Sequence, residues 1–293
     1  MGFFGEAHKA RHRGADAFDG FGFTDTLGGG LDEGWAKQAI ARINIDARSE
    51  TEWGTFRRFI RLEANTGGST GIYGLEDTDE VNVIYAYVEL GGLLVGLYDT
   101  LYDGEMSPEF DNGGGSSAHQ IRYTFNGANG MTFQVSIEEQ DYNYDYTPNV
   151  VGRIGITQGW GGLALFAAYD ATFEEFGLKA IGSFNVTDAI LLEGMAIYES
   201  GFGDFSVCSR NGLCGYEFSL AAALSFKATD QLTFRAGGQY FGENHWLGHD
   251  NYRLGAQVDW VPVENLLLRG QLNYNGGDSQ DFIDGQIRLE ASF

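Results

Sequence analysis

At 293 residues and a net charge of -23, the chain is too acidic for a nucleic-acid binder, because gripping phosphate needs a basic surface. Its longest apolar runs, residues 93–98 and 189–192, fall far short of the roughly 18 residues that a spanning helix needs. Glycine is abundant (44) and proline scarce (3), and no linker breaks the composition, so residues 1–293 read as a single domain.

The chain opens Met-Gly-Phe-Phe-Gly, without the basic, apolar and small-residue regions of a secretory signal. If the protein is exported, this is its mature form. A weak strand is expected at residues 2–9, with Arg11, His12 and Arg13 crowding its end, and a long segment 10–35 follows. From residue 36 one plan repeats: about ten alternating residues, a short polar connection, ten more, then a long connection. Residues 40–48 lead through 49–52 into 53–64, and 65–79 form a Gly/Thr/Asp-rich loop. Segments 80–90 and 93–98 meet at Gly91-Gly92, and an irregular stretch covers 99–118. Pairs then appear at 119–126 with 130–138, 149–157 with 162–169, and 175–185 with 189–198. The series ends with 216–227 and 231–241, 251–260 and 265–274, and the closing segment 281–293.

The short connections, such as 126–129, 158–161 and 185–188, are turn chemistry. The long ones are 139–148, 199–215, 242–250 and 275–280. One rim thus carries tight turns and the other excursions, over an expected sixteen antiparallel strands. That asymmetry is the layout of a closed transmembrane β-barrel in the outer membrane.

The two faces agree. Tyr252, Leu254, Ala256, Val258 and Trp260 alternate with Arg253, Gly255, Gln257 and Asp259. Ile283, Gly285, Ile287, Leu289, Ala291 and Phe293 share one face of a last strand that runs to the final residue. Trp53, Tyr169, Tyr198, Tyr216, Tyr240, Trp260 and Tyr274 cluster at strand ends, as interfacial belts require.

Charge follows the same parity. Arg42, Arg48, Arg57, Arg61, Arg122, Arg153, Arg235, Arg253, Arg269 and Arg288 all point away from the apolar face, into the expected lumen. Residues 99–118 carry Asp99, Asp103, Glu105, Glu109 and Asp111 and no Lys or Arg. Folded inward, this acidic loop would face an arginine-bearing wall, and charge so arranged confers ion selectivity. The overall charge favours cations, whereas the arginine wall opposes that preference. Arg58 alone falls on the apolar parity, beside Phe56, Ile60 and Leu62. It lies either near the membrane edge or under a neighbouring subunit.

Cys208 and Cys214 sit in a Gly/Ser/Asn-rich stretch. With no other Cys and no nearby His to complete a tetrahedral metal site, a small disulfide ring is the better reading, and it requires an oxidising compartment. His8/His12 and His245/His249 are spaced four apart but lack a zinc-protease pattern, and no catalytic constellation appears, so no enzyme is expected. No cofactor is implied. Acidic loop residues such as Glu76, Asp77, Asp79, Glu80, Glu138, Glu139, Asp141 and Asp145 could share calcium with an anionic lipid surface.

Residues 41–54 (ARINIDARSETEWG), 86–103 (AYVELGGLLVGLYDTLYD) and the terminal strand ending in Phe293 resemble the trimeric general diffusion porins of Gram-negative bacteria, and most closely the alphaproteobacterial porin family. Pro108-Glu109-Phe110 before a Gly-rich run is similar to the constriction-loop motif of enterobacterial porins. The resemblance implies a homotrimer embedded in outer-membrane lipid and lipopolysaccharide that passes small hydrophilic solutes and ions. It also implies a constriction loop at 99–118, with Glu105, Glu109 and Asp111 on its acidic side and Arg42, Arg57, Arg61 and Arg122 opposite. A substrate-specific channel would instead show an aromatic track in the lumen, and Phe59 and Phe241 do not line up as one. A structural or adhesive barrel with a blocked pore is kept open by the segments 10–35 and 199–215.

Overall fold

The computed structural model describes residues 15–25, 34–66, 80–106, 108–114, 117–139 and 147–292. The chain runs β1 (Ala15–Asp25), β2 (Gly34–Thr51), β3 (Gly54–Thr66), β4 (Glu80–Leu90), β5 (Leu93–Asp99), β6 (Ser117–Asn126), β7 (Met131–Glu138) and β8 (Asn149–Gln158). It continues β9 (Gly161–Asp170), β10 (Glu175–Asn185), β11 (Ile190–Glu199), β12 (Tyr216–Lys227), β13 (Leu232–Asn244), β14 (Asn251–Val263), β15 (Leu266–Gly277) and β16 (Phe282–Ser292). Each strand pairs antiparallel with its chain neighbours, and β1 pairs with β16 from Asp16↔Ser292 to Asp25↔Ile283. The sheet is therefore a closed barrel with no free edge.

The strand expected at residues 2–9 lies outside the described residues. The position beside β16 is held by Ala15–Asp25, inside the segment 10–35 that the sequence leaves as an excursion. The cause is visible in its residues: Phe18 and Phe21 fall on opposite parities, and Gly20 and Gly22 interrupt the alternation. Where β5 pairs with β4, Gly96 has a φ of 137° and any Cβ there would collide with the Ala86 carbonyl.

Burial is inverted relative to a water-soluble sheet. On β9 the outward Leu163 and Leu165 are 41% and 48% exposed, while the inward Ala164 and Phe166 are buried. Ile154, Leu178, Leu220, Leu254 and Leu272 continue this exposed apolar wall. Inside, Ser136, Gln239, Gln257, Gln271, Asn273 and Asn275 are buried and polar. Hydrocarbon tolerates a sheet only when its backbone groups are paired and its outer side chains apolar, and the pairing of every strand with both neighbours and these exposed aliphatic residues fit that requirement. At one rim, Phe176 meets Tyr198, Phe218 meets Tyr240 and Tyr252 meets Tyr274, each at 5.9 Å between ring centroids.

The interior holds a second, apolar core. Leu101, Tyr102, Met106 and Phe110 pack with Phe205 and Val207 against Val151, Phe166, Ile181, Met195, Ile197 and Phe241 of β8–β13. Two connections, the one after β5 and the one after β11, supply its centre.

Leu165→Arg should lower barrel stability by about 2–4 kcal/mol, the cost of an arginine on the lipid face near midplane. Urea unfolding in bilayers, followed by tryptophan fluorescence, reads this directly; an unchanged midpoint would mean that Leu165 does not face lipid.

Candidate functional site

The segment after β5 starts at a buried carboxylate. Glu138, 1% exposed at the end of β7, accepts from the Thr100 hydroxyl at 2.5 Å, the Leu101 amide at 2.8 Å and the Ser136 hydroxyl at 2.5 Å. It is therefore an anchor for this segment and not a calcium-sharing loop acid. Asp99 accepts from the Tyr85 hydroxyl at 2.6 Å, and its carbonyl takes bonds from Gln120 at 2.9 Å and Arg122 at 2.5 Å. The base of the segment is thus sewn to β4, β6 and β7.

Further along, Asp103 accepts from the Gly104 amide at 2.8 Å. Burial and the nearby Asp99 carboxylate push its pKa up to about 6. Glu105 is exposed. Glu109 crosses to β15 and β16, where Arg269 and Arg288 donate to it at 2.9 and 2.6 Å and Gln286 at 2.8 Å. Burial acts to raise the Glu109 pKa, but these two guanidiniums and Gln286 outweigh it and hold the carboxyl below its ordinary value. Asp111 accepts from the Gly113 and Cys208 amides at 3.0 and 3.2 Å. Burial prevails over those bonds and raises its pKa. Lys179 of β10 donates to the Asn112 carbonyl at 2.7 Å, with its ammonium 4.0 Å from the Tyr102 ring centroid. Gln239 of β13 donates to the Asp111 carbonyl at 2.6 Å.

The arginines divide into two sets. Arg42 pairs with Glu63 at 2.6 Å, and Arg57 with Asp46 at 3.1 Å and Glu89 at 3.5 Å. Arg61 donates to Asn44 at 2.9 Å. These three line the inner face of β2 and β3. Arg122 is buried at the root of the segment, and Arg153 donates to Gln134 at 2.8 Å. The structure does not bring Glu109 to Arg42, Arg57 or Arg61; its partners are on the β15–β16 wall. Arg269 and Arg288 carried the right parity in the sequence, but nothing local identified which acid they would meet. Lys179 and Glu138 gave a weaker signal as charged residues on lumen-facing positions.

Phe59, Tyr85, Tyr87 and Tyr98 form one aromatic patch on the inner wall of β3–β5, with Phe59 and Tyr87 stacked at 5.2 Å. Arg57 lies over Phe59 and Tyr87, Arg61 over Tyr85, and Arg122 over Tyr98. The guanidiniums cap these rings, so the patch orients the arginine row and presents no bare aromatic track. Cys208 and Cys214 are disulfide-bonded. Among the described residues, no three His, Cys, Asp or Glu side chains converge as metal ligands would.

Comparison with known proteins places this architecture. A family model described as a porin subfamily matches residues 19–292. Porin Omp2b of Brucella neotomae is 31% identical over 94% of this chain and 82% of its own length. Among solved structures, the outer membrane channel DcaP of Acinetobacter baumannii superposes with a TM-score of 0.69 at 14% identity, covering 96% of each chain. A mutant of the Rhodopseudomonas blastica porin gives 0.64 at 15% identity, over 94% of this chain and 99% of its own. Family membership makes the protein a channel by descent. The chain belongs to this porin subfamily, and it is a bacterial outer-membrane porin through which solutes diffuse passively.

Proposed function

We propose that residues 1–293 form one sixteen-stranded barrel domain whose 99–118 segment folds inward and constricts the pore. One observation carries this reading. Lys179 on β10 and Arg269 and Arg288 on β15 and β16 bond the same short stretch, Glu109–Asn112. Those strands lie on different sides of the barrel, so a segment tied to both must cross the lumen. Its acidic edge, Asp103 and Glu105, works against the arginine row Arg42, Arg57 and Arg61, with Arg122 supporting the root of the segment and Arg153 on the β8 wall, bonded to Gln134. A polar passage of this kind admits small hydrophilic solutes and ions and disfavours apolar ones.

The passage prefers cations. Most wall arginines are matched by carboxylates next to them: Arg42 by Glu63, Arg57 and Arg48 by Asp46, Arg235 by Asp259 and Arg253 by Asp284. Their opposition to the overall acidity is cancelled at short range.

The working unit is a homotrimer set in outer-membrane lipid and lipopolysaccharide. Arg58 faces outward, held by Ser49 at 3.1 Å and stacked on Phe56 at 4.9 Å, on a wall that also exposes Ile43, Ile45 and Ile60. A guanidinium there is far less costly against a neighbouring subunit than against acyl chains. Calcium at the acidic outer loops, with Glu139 among its ligands, would link them to anionic lipid; Glu76, Asp77, Asp79, Asp141 and Asp145 lie outside the described residues.

Planar-bilayer recording tests the core of the reading. Unitary conductance should rise linearly with salt, without sugar block, and a salt gradient should give a cation-selective reversal potential that Glu105→Gln moves toward zero. Saturating conductance would point to a specific channel instead.

The Asp103 carboxyl adds a pH signature. With its pKa near 6, it is charged at pH 7.5 and mostly neutral at pH 5. Cation preference should therefore fall as pH drops through 6, and Asp103→Asn should lack that step. A wild-type reversal potential that is flat from pH 7.5 to 5 would remove Asp103 from the passage.

A further inference from the structure

The connection between β11 and β12 is not a simple surface loop. Val207 bonds to Gly215 at 3.1 Å and Ser209 to Leu213 at 2.8 Å, so residues 207–215 form a miniature hairpin closed by the Cys208–Cys214 disulfide. One side of this hairpin presses on the 99–118 segment. Phe205 and Val207 are buried in the apolar cluster of Leu101, Tyr102 and Met106, and the Phe205 and Tyr102 rings lie 5.2 Å apart. The Cys208 amide donates to Asp111 at 3.2 Å. Gly113, at φ 68°, has room for no side chain there, since a Cβ would sit 2.6 Å from the Phe205 carbonyl.

The other side of the hairpin is tied to the barrel rim. Tyr216 donates to Ser209 at 2.7 Å and accepts from Asn251 at 2.7 Å. Asn244 donates to the Cys214 and Gly215 carbonyls at 3.0 Å, and Asn211 to the Gln280 carbonyl at 2.8 Å. The hairpin therefore spans the gap between the rim of β12–β15 and the far limb of the segment, residues 111–114.

We propose that this hairpin is a second pore-determining element: a disulfide-closed strut that holds residues 111–114 in place and so sets the size of the passage. The inference rests on the reading of 99–118 as the constriction. Opening the strut should free that limb. Cys208 and Cys214 are only half-buried, so an external dithiol can reach the bond. Thiol–disulfide exchange transfers two electrons and two protons: the protein disulfide becomes two thiols and the dithiol closes to its own disulfide. Without the covalent closure, the hairpin must hold its form by a few backbone bonds, and its contacts with Tyr102 and Asp111 loosen with it.

The test is single-channel recording of the intact porin before and after dithiothreitol, with free thiols titrated in parallel. Reduction to two thiols per chain should shift the unitary conductance upward and widen the sugar cutoff. The doubly substituted Cys208→Ser, Cys214→Ser protein should show the shifted level from the outset and ignore dithiothreitol. Fully reduced wild type with unchanged or lower conductance overturns the strut. Glu105→Gln in the oxidised protein separates the two readings. If it leaves the reversal potential unmoved, the constriction reading falls and the strut falls with it. If it shifts the potential while reduction changes nothing, only the strut falls.

Discussion

Everything in this barrel depends on having no water on its outer side. A backbone group left unpaired in hydrocarbon costs several kcal/mol, so the sheet must close, and β1 must find β16 across the whole length of the chain. Closure in turn fixes the parity of every strand. Once Leu165 and Leu254 face lipid, Phe166 and Arg253 must face inward, whatever their own chemistry prefers. Polar residues gather inside because the outside excludes them, and a lumen lined with Gln, Asn, Ser and Arg follows from the wall's need for an apolar exterior.

That logic leaves one region with a problem, and the in-folded segments answer it. β9–β11 carry large apolar side chains on the inward parity as well as the outward one: Phe166, Ile181, Met195 and Ile197 point inward among Lys179, Ser183 and Glu199, opposite the exposed Leu165, Leu178 and Tyr198. Such side chains would be poorly placed against lumen water. They are buried instead under Leu101, Tyr102, Met106, Phe205 and Val207. The hydrophobic effect that drives a soluble core, about 25 cal/mol for each Å² of apolar surface removed from water, here acts on the inner face of the barrel and holds the segments packed against it. Buried charges then set their position: Glu138 at the root, Lys179 and Glu109 further along. A buried carboxylate that loses its partners is costly, so these contacts define one arrangement of the segment over others.

Strand order, the long and short connections and the inward parity of the arginines were legible because each rests on a local period of two, which any ten-residue window reveals. The terminal strand was legible for the same reason. The first strand was not: Asp16, Asp19, Gly20 and Gly22 dilute its alternation, and only its partners β16 and β2 identify it. The candidate site was legible as a list of charges and not as a set of pairs. Glu109 meets Arg288 across 179 positions of chain, and no periodicity carries information over that distance. The inner apolar core had a signal in the sequence, since large apolar residues such as Phe166, Ile181, Met195 and Ile197 on the inward parity mark where something covers the inside.

The pairing pattern also decides what a solute in transit senses. Arg235, Asp259, Arg269, Glu109, Arg288 and Glu290 form one continuous chain of three cations and three anions. Arg48, Asp46, Arg57 and Glu89 form another that balances in the same way. A balanced pair acts as a dipole, and its field decays faster with distance than that of a lone charge. Mobile salt weakens it further within about 10 Å at ordinary ionic strength. In the proposed passage these paired arginines would orient dipolar solutes at close range while adding little net positive potential. On the proposed constriction, the sign of selectivity would fall to the groups without such balance, chiefly the exposed Glu105, whereas the Asp103 beside it shares the field of Lys179. If the segment after β5 is the constriction proposed above, selectivity would depend on a few acids carried by that one segment, and whatever fixes its position would also fix which ions pass.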